Sequence, residues 1–171
     1  MGMREILFRA KINKTESEWV EGFYVHIPCG RFMCDEHLIQ TIDADGRIGQ
    51  LYNVYESTMG QFTGLTDKNG KKIFEGDILK VKTMWHAEFH EDNNGFFSAP
   101  IKKETYWSVE YKNFCGKMGF MVYGIDRRWH TNLTWNKLYN SEAVVVGNIY
   151  DNPELMKKKE GDKNDLRKMH T

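Results

Sequence analysis

Two four-residue segments constrain this chain more than any other feature. Asp43-Ala44-Asp45-Gly46 and Asp67-Lys68-Asn69-Gly70 each end on a glycine and each lie between runs with strand composition, residues 37–42 and 47–54 around the first, 61–65 and 73–81 around the second. A glycine after Asp or Asn supplies the positive backbone angle of a tight reversal. Connections this short join antiparallel neighbours, because parallel strands need a long crossover. The two segments therefore predict two β-hairpins.

Other stretches carry the same period. Ile6, Phe8, Ala10 and Ile12 alternate with Leu7, Arg9 and Lys11, and Trp19, Glu21, Phe23, Val25 and Ile27 share one face of a second strand. Residues 106–111, 120–125 and 144–149 have strand composition, whereas 91–99 are polar and glycine-containing and read as a long loop. Asn152, Pro153 and Glu154 follow in the order of an N-cap, a first-turn proline and an acid at the positive helix end, which predicts a short C-terminal helix. The expectation is a mainly β fold, with antiparallel hairpins forming a small SH3-like or related barrel. It forms a single β domain over residues 1–155, in which two β subdomains would meet near 55–60. Residues 156–171 are dense in both charge signs, with little to bury, and read as a flexible tail.

Composition narrows the function classes. Among the 171 residues, 24 Lys and Arg balance 24 Asp and Glu, so nucleic-acid binding would have to rest on a local patch rather than on a global field. No apolar run approaches the roughly 18 residues of a membrane span, and the start of the chain lacks signal-peptide order. Three cysteines, Cys29, Cys34 and Cys115, fit a reducing compartment better than a disulfide framework. These features give a cytoplasmic expectation with no membrane association.

Three stretches resemble one family when taken together. They are Arg4-Glu5-Ile6-Leu7-Phe8-Arg9-Ala10; the run from Gly60-Gln61-Phe62-Thr63-Gly64-Leu65 through Asp67-Lys68-Asn69-Gly70 to Glu75-Gly76-Asp77-Ile78; and Val146-Gly147-Asn148-Ile149-Tyr150-Asp151-Asn152-Pro153-Glu154-Leu155. In content, order and spacing they are similar to the YopX family of phage- and prophage-encoded bacterial proteins. The resemblance implies a largely β fold and a phage or prophage setting. It carries over no catalytic residue, and it leaves residues 84–135 without a matching pattern.

The local chemistry offers two candidate sites. His26, Cys29, Cys34 and His37 form a near-mirror His-x2-Cys, x4, Cys-x2-His order, and imidazole with thiolate is a ligand set that tetrahedral zinc accepts. Ordinary hairpin residues and a buried thiol are the plainer reading, and no other cofactor is expected. Arg127, Arg128, Trp129 and Trp135 combine guanidinium groups with large aromatics, the ingredients of phosphate neutralisation and base stacking on a single strand. The same residue types suit a protein partner, and hairpin edges suit a homo-oligomer. His86, Glu88 and His90 read as a polar strand face rather than a metal site. Walker, dinucleotide-binding and nucleophile-elbow motifs are missing from the sequence, so the expected mode is binding rather than catalysis, with a metal-dependent enzyme as the lesser alternative.

Overall fold

The computed structural model describes residues 5–15, 17–28, 35–92, 95–114, 116–125 and 130–157. Eleven strands fall into two antiparallel sheets. The first six are β1 (Phe8–Lys11), β2 (Trp19–Ile27), β3 (Glu36–Ile42), β4 (Ile48–Asn53), β5 (Gly60–Thr66) and β6 (Lys72–Phe74), in the sheet order β4-β3-β2-β1-β5-β6. The next five are β7 (Asp77–Asp92), β8 (Gly95–Phe114), β9 (Lys117–Gly124), β10 (His130–Asn132) and β11 (Val144–Asn148), in the order β10-β9-β8-β7-β11. One α-helix, α1 (Trp135–Asn140), precedes β11. The chain divides into two compact units: unit 1 takes the described residues up to Thr66 together with Gly70–Gly76, and unit 2 takes Asp67–Asn69 and the described residues from Asp77 onward.

Unit 1 is built by the turns that the sequence marks. Between β3 and β4 the Asp43 carboxylate accepts from the backbone N–H of Asp45 (3.0 Å) and of Arg47 (2.8 Å), and Gly46 adopts φ +79°. An aspartate that caps its own turn leaves the positive angle to the glycine, which bears no Cβ to resist it. The core of this sheet comprises Ala10, Val20, Ile39 and Val54, with Phe8, Ile12, Tyr52 and Met59 packed against it. On β2 the buried face is therefore that of Val20 and Gly22, while Phe23 and Ile27 on the other face are exposed. Pairing decides this, because Val20 lies opposite Ala10 and Tyr24 lies opposite Ile39. A 3-10 turn, Glu56–Thr58, is tied back to the sheet where the Thr58 hydroxyl accepts from the backbone N–H of Lys11 at 2.9 Å.

Unit 2 buries residues from every main strand, among them Ile78, Leu79 and Val81 of β7, Trp107 and Val109 of β8, and Met121 and Val122 of β9. Asp67 is buried and accepts from Asn69 N–H (2.8 Å) with one oxygen and from Val145 N–H (3.0 Å) with the other. After β11, Asn148 organises the turn: its side-chain carbonyl accepts from Tyr150 N–H and Asp151 N–H, both at 2.9 Å. A Cβ on Gly147 would lie 2.3 Å from the Asn152 side-chain oxygen, so the Gly147-Asn148 pair is a steric and hydrogen-bonding unit.

Four expectations change. In both sheets the end strands do not pair with each other among the described residues, so the SH3-like barrel is not formed there. The C-terminal helix is one 3-10 turn, Pro153–Met156, whose Asn152 makes no side-chain cap because that side chain lies against Gly147. The run 73–81 is split by Glu75-Gly76, with Gly76 at φ +83°, into β6 and β7. The loop expected over 91–99 is instead the end of a long ribbon, with Asp92 paired to Gly95. The 158–171 tail lies outside the described residues. Among the described residues no helix is long and apolar enough to cross a membrane.

Ser108 on β8 is 1% exposed and its hydroxyl has no hydrogen-bond partner. Burying a hydroxyl unpaired carries a desolvation cost that an isosteric methyl avoids. Ser108→Ala is expected to stabilise the protein by about 1 kcal/mol, read as a higher urea midpoint. A lower midpoint would mean that the hydroxyl is satisfied after all.

Candidate functional site

The β2–β3 pair brings two of the four sequence-marked zinc ligands together. His26 and His37 are register partners, so their side chains leave the same face of the sheet. Their rings stack at 5.0 Å between centroids, and Tyr24, two residues before His26, lies nearly parallel to both, at 6.4 Å from His26 and 5.9 Å from His37. Phe8 of β1 extends the ring column at 5.4 Å from Tyr24. The mirror order of the sequence motif is thus the order a hairpin imposes on itself. Cys29 and Cys34 lie outside the described residues.

Polar partners orient these rings. The Tyr24 hydroxyl lies 2.7 Å from His37 Nδ1, and the opposite nitrogen, Nε2, lies 3.4 Å from the Glu56 carboxylate. Burial, then the negative charges of Glu56 and Asp35, push the Tyr24 phenol above its ordinary range. A phenol that keeps its proton can donate to Nδ1, which places the imidazole proton on Nε2 facing Glu56. His26, the more exposed ring, has Asp35 3.9 Å from its Nε2. Among the described residues no group of three or more His, Cys, Asp or Glu could hold a metal ion. Since both nitrogens of His37 are engaged, ligation there would have to release either Tyr24 or Glu56. His86 and Glu88 are separated by a bulge in β7, which interrupts the alternation that would set them on one face.

The second candidate lies in unit 2. Thr134 caps α1 by accepting from Lys137 N–H, and the helix buries Leu138 while leaving Trp135 and Tyr139 60% and 69% exposed. Four residues apart, these two rings meet at 5.1 Å and 12°. Lys137 anchors the helix to β10 through the Thr131 hydroxyl and the Asn132 carbonyl (3.0 Å). On the adjoining strands His130 stacks on Tyr123 at 5.5 Å, and the Lys112 ammonium lies 5.1 Å from the same ring. Arg127, Arg128 and Trp129 lie outside the described residues. Of the predicted set only Trp135 is placed. Sequence reading missed Tyr139, although Thr134 followed by Trp-x3-Tyr is a capped i, i+4 pair, and it missed Tyr24.

Unit 1 also has a cleft of about 570 Å³ bounded by Ile12, Leu38, Leu51 and Tyr52, with Glu18 and Glu36 at its lining. Its walls mix apolar side chains with same-sign carboxylates.

The geometry can be set beside known proteins. The crystal structure of protein EF1440 from Enterococcus faecalis is similar at 22% identity, covering 91% of this chain and 100% of that one with a TM-score of 0.47. No curated protein matches the chain. The sequence model for the family described as YopX protein matches residues 7–157, which takes in every strand of both sheets. The chain belongs to the YopX family.

Proposed function

We propose that this protein acts by binding rather than by catalysis, and that the Trp135–Tyr139 pair is its principal contact. The carrying observation is two large aromatic rings held parallel by a capped helix with most of their surface exposed. Rings fixed in this way lose little entropy on contact, and Trp and Tyr dominate binding energetics where they occur. The setting that accompanies this reading is a phage or prophage protein working in the bacterial cytoplasm. The test is affinity capture from a bacterial lysate by wild type and by Trp135→Ala with Tyr139→Ala, each first shown to keep its melting transition. Loss of a wild-type partner in the double variant is the expected result. Equal capture by both removes this surface from the function.

Single-stranded nucleic acid is a second reading, supported by the short chain distance from Trp135 to Arg127, Arg128 and Trp129. Bases stack on exposed aromatics with about 1 to 3 kcal/mol each. Trp135→Ala is therefore expected to weaken binding of an oligothymidine or oligouridine by that amount without changing its salt dependence. Arg127→Ala with Arg128→Ala should flatten the salt dependence, since fewer counterions are released. No binding at about 50 mM salt, where the electrostatic contribution is strong, ends this reading. Zinc at His26, Cys29, Cys34 and His37 is kept as a proposal with its own readout, stoichiometric metal in protein purified without chelator.

A further inference from the structure

β7 and β8 run far beyond their neighbours. On the outer side of β7, β11 pairs only from Asp77 to Lys80, and on the outer side of β8, β9 pairs only from Trp107 onward. From Thr83↔Lys103 to Asp92↔Gly95 the two strands pair with each other and, among the described residues, with no other strand. At about 3.3 Å per residue this ribbon is about 30 Å long. A two-stranded hairpin is marginal in water without a third strand or a packed face. This one nevertheless carries Trp85, Phe89, Phe96, Phe97 and Ile101 within that span. Both of its edges offer unpaired backbone groups, the arrangement that templates another strand.

We propose that a second copy of this chain completes the ribbon, with the two β7 edges pairing antiparallel about a two-fold axis to give a four-stranded sheet. The choice of edge follows from proline: β8 contains Pro100 within the span, whereas β7 has none between Thr83 and Asp92. The choice of occupant follows from charge. The tip carries Glu88, Glu91 and Asp92, and the stem carries Lys102 and Lys103 at the level of Met84 and Thr83. Two other stem charges are matched within the chain, Glu104 by Lys80 at 2.7 Å and Lys82 by Glu142 at 2.9 Å. An antiparallel two-fold pairing sets each acidic tip on the partner's basic stem, so the arm is complementary to itself. A nucleic-acid backbone would meet the acidic tip unfavourably.

The test is the mass of the full chain in solution by light scattering at micromolar concentration, expected at twice the chain mass. Joining Met84 to its register partner Lys102 through Asn-Gly removes the arm and should give a monomer. The sharper test uses charge reversal. Lys102→Glu with Lys103→Glu, and separately Glu91→Lys with Asp92→Lys, should each weaken self-association about ten-fold or more. An equimolar mixture of the two should return to the dimer mass, which also shows that both variants are folded. A monomeric wild type, a dimer that survives removal of the arm, or a mixture that stays monomeric overturns the proposal.

Discussion

Asp67→Ala is expected to lower the unfolding free energy by about 3 kcal/mol, because a buried carboxylate that accepts two backbone N–H groups is worth more than a neutral hydrogen bond. The two donors, Asn69 N–H and Val145 N–H, are bonded to separate oxygens. Lys68 N–H, next in the chain, donates to the Ala143 carbonyl at 3.1 Å, so the contact with the start of β11 is two bonds wide. Alanine removes the acceptor and leaves the Val145 donor without a replacement. Asp67→Asn separates the two contributions, since an amide has one carbonyl oxygen and presents N–H where the second acceptor was. It should cost about half as much as alanine. The measurement is the urea midpoint of the three proteins at neutral pH. Equal stability of all three would show that neither bond matters. Asparagine as damaging as alanine would show that charge, not acceptor count, is decisive.

Asp67 also marks the limit of what its sequence segment revealed. The turn Asp67-Lys68-Asn69-Gly70 is local chemistry, an aspartate bonded two residues on and a glycine at φ +82°, and local chemistry is legible. The bond to Val145, 78 residues away, is not, because nothing in a turn motif specifies which strand will arrive beside it. Strand positions followed the same rule. β1, β2, β3, β4 and β11 coincide closely with the alternating segments, whereas closure into a barrel depends on which edges meet, and the edges do not carry that information locally. The long ribbon was hidden for a different reason. Residues 91–99 are polar, and a two-stranded element needs no continuous apolar face; Asn94-Gly95, a dipeptide that favours hairpin reversals, was the available signal. α1 has six residues, too few to show a helical period, so Trp135 was recognised for its chemistry and not for its place.

The histidine pair was half legible. Mirror spacing of His26 and His37 fits a hairpin, and the register partnership follows. Tyr24 and Glu56, which hold His37 at both ring nitrogens, come from an adjacent strand position and a separate 3-10 turn, so no spacing rule links them to it. What allows β2 and β3 to lie close enough for this cluster is a residue that no functional motif would select, Gly22.

Gly22→Ala is expected to destabilise the protein by about 3 kcal/mol, the upper end for overpacking by a single methyl. A Cβ built there would lie 2.2 Å from the Gln40 carbonyl oxygen, 2.8 Å from its carbon and 2.9 Å from the Ile39 Cγ2. Two of these atoms are backbone on β3 and cannot rotate aside, so the strands themselves must part. The nearest register pair is Phe23↔Gln40, and Tyr24, His26 and His37 follow along the same two strands. Parting the strands should also reduce the burial that raises the Tyr24 phenol, so its ionisation should fall toward the ordinary tyrosine range. Gly119→Ala is the matched control. A Cβ there meets nothing within 4 Å and the backbone is not in the left-handed region, so the same added methyl should change stability by less than about 1 kcal/mol, in the stabilising direction through a less flexible unfolded chain. Urea midpoints of both variants, with a phenolate absorbance titration of Gly22→Ala against wild type, check the argument. Similar midpoints for the two alanines would show that β3 yields to the methyl at little cost and that Gly22 is not what sets the approach of the strands.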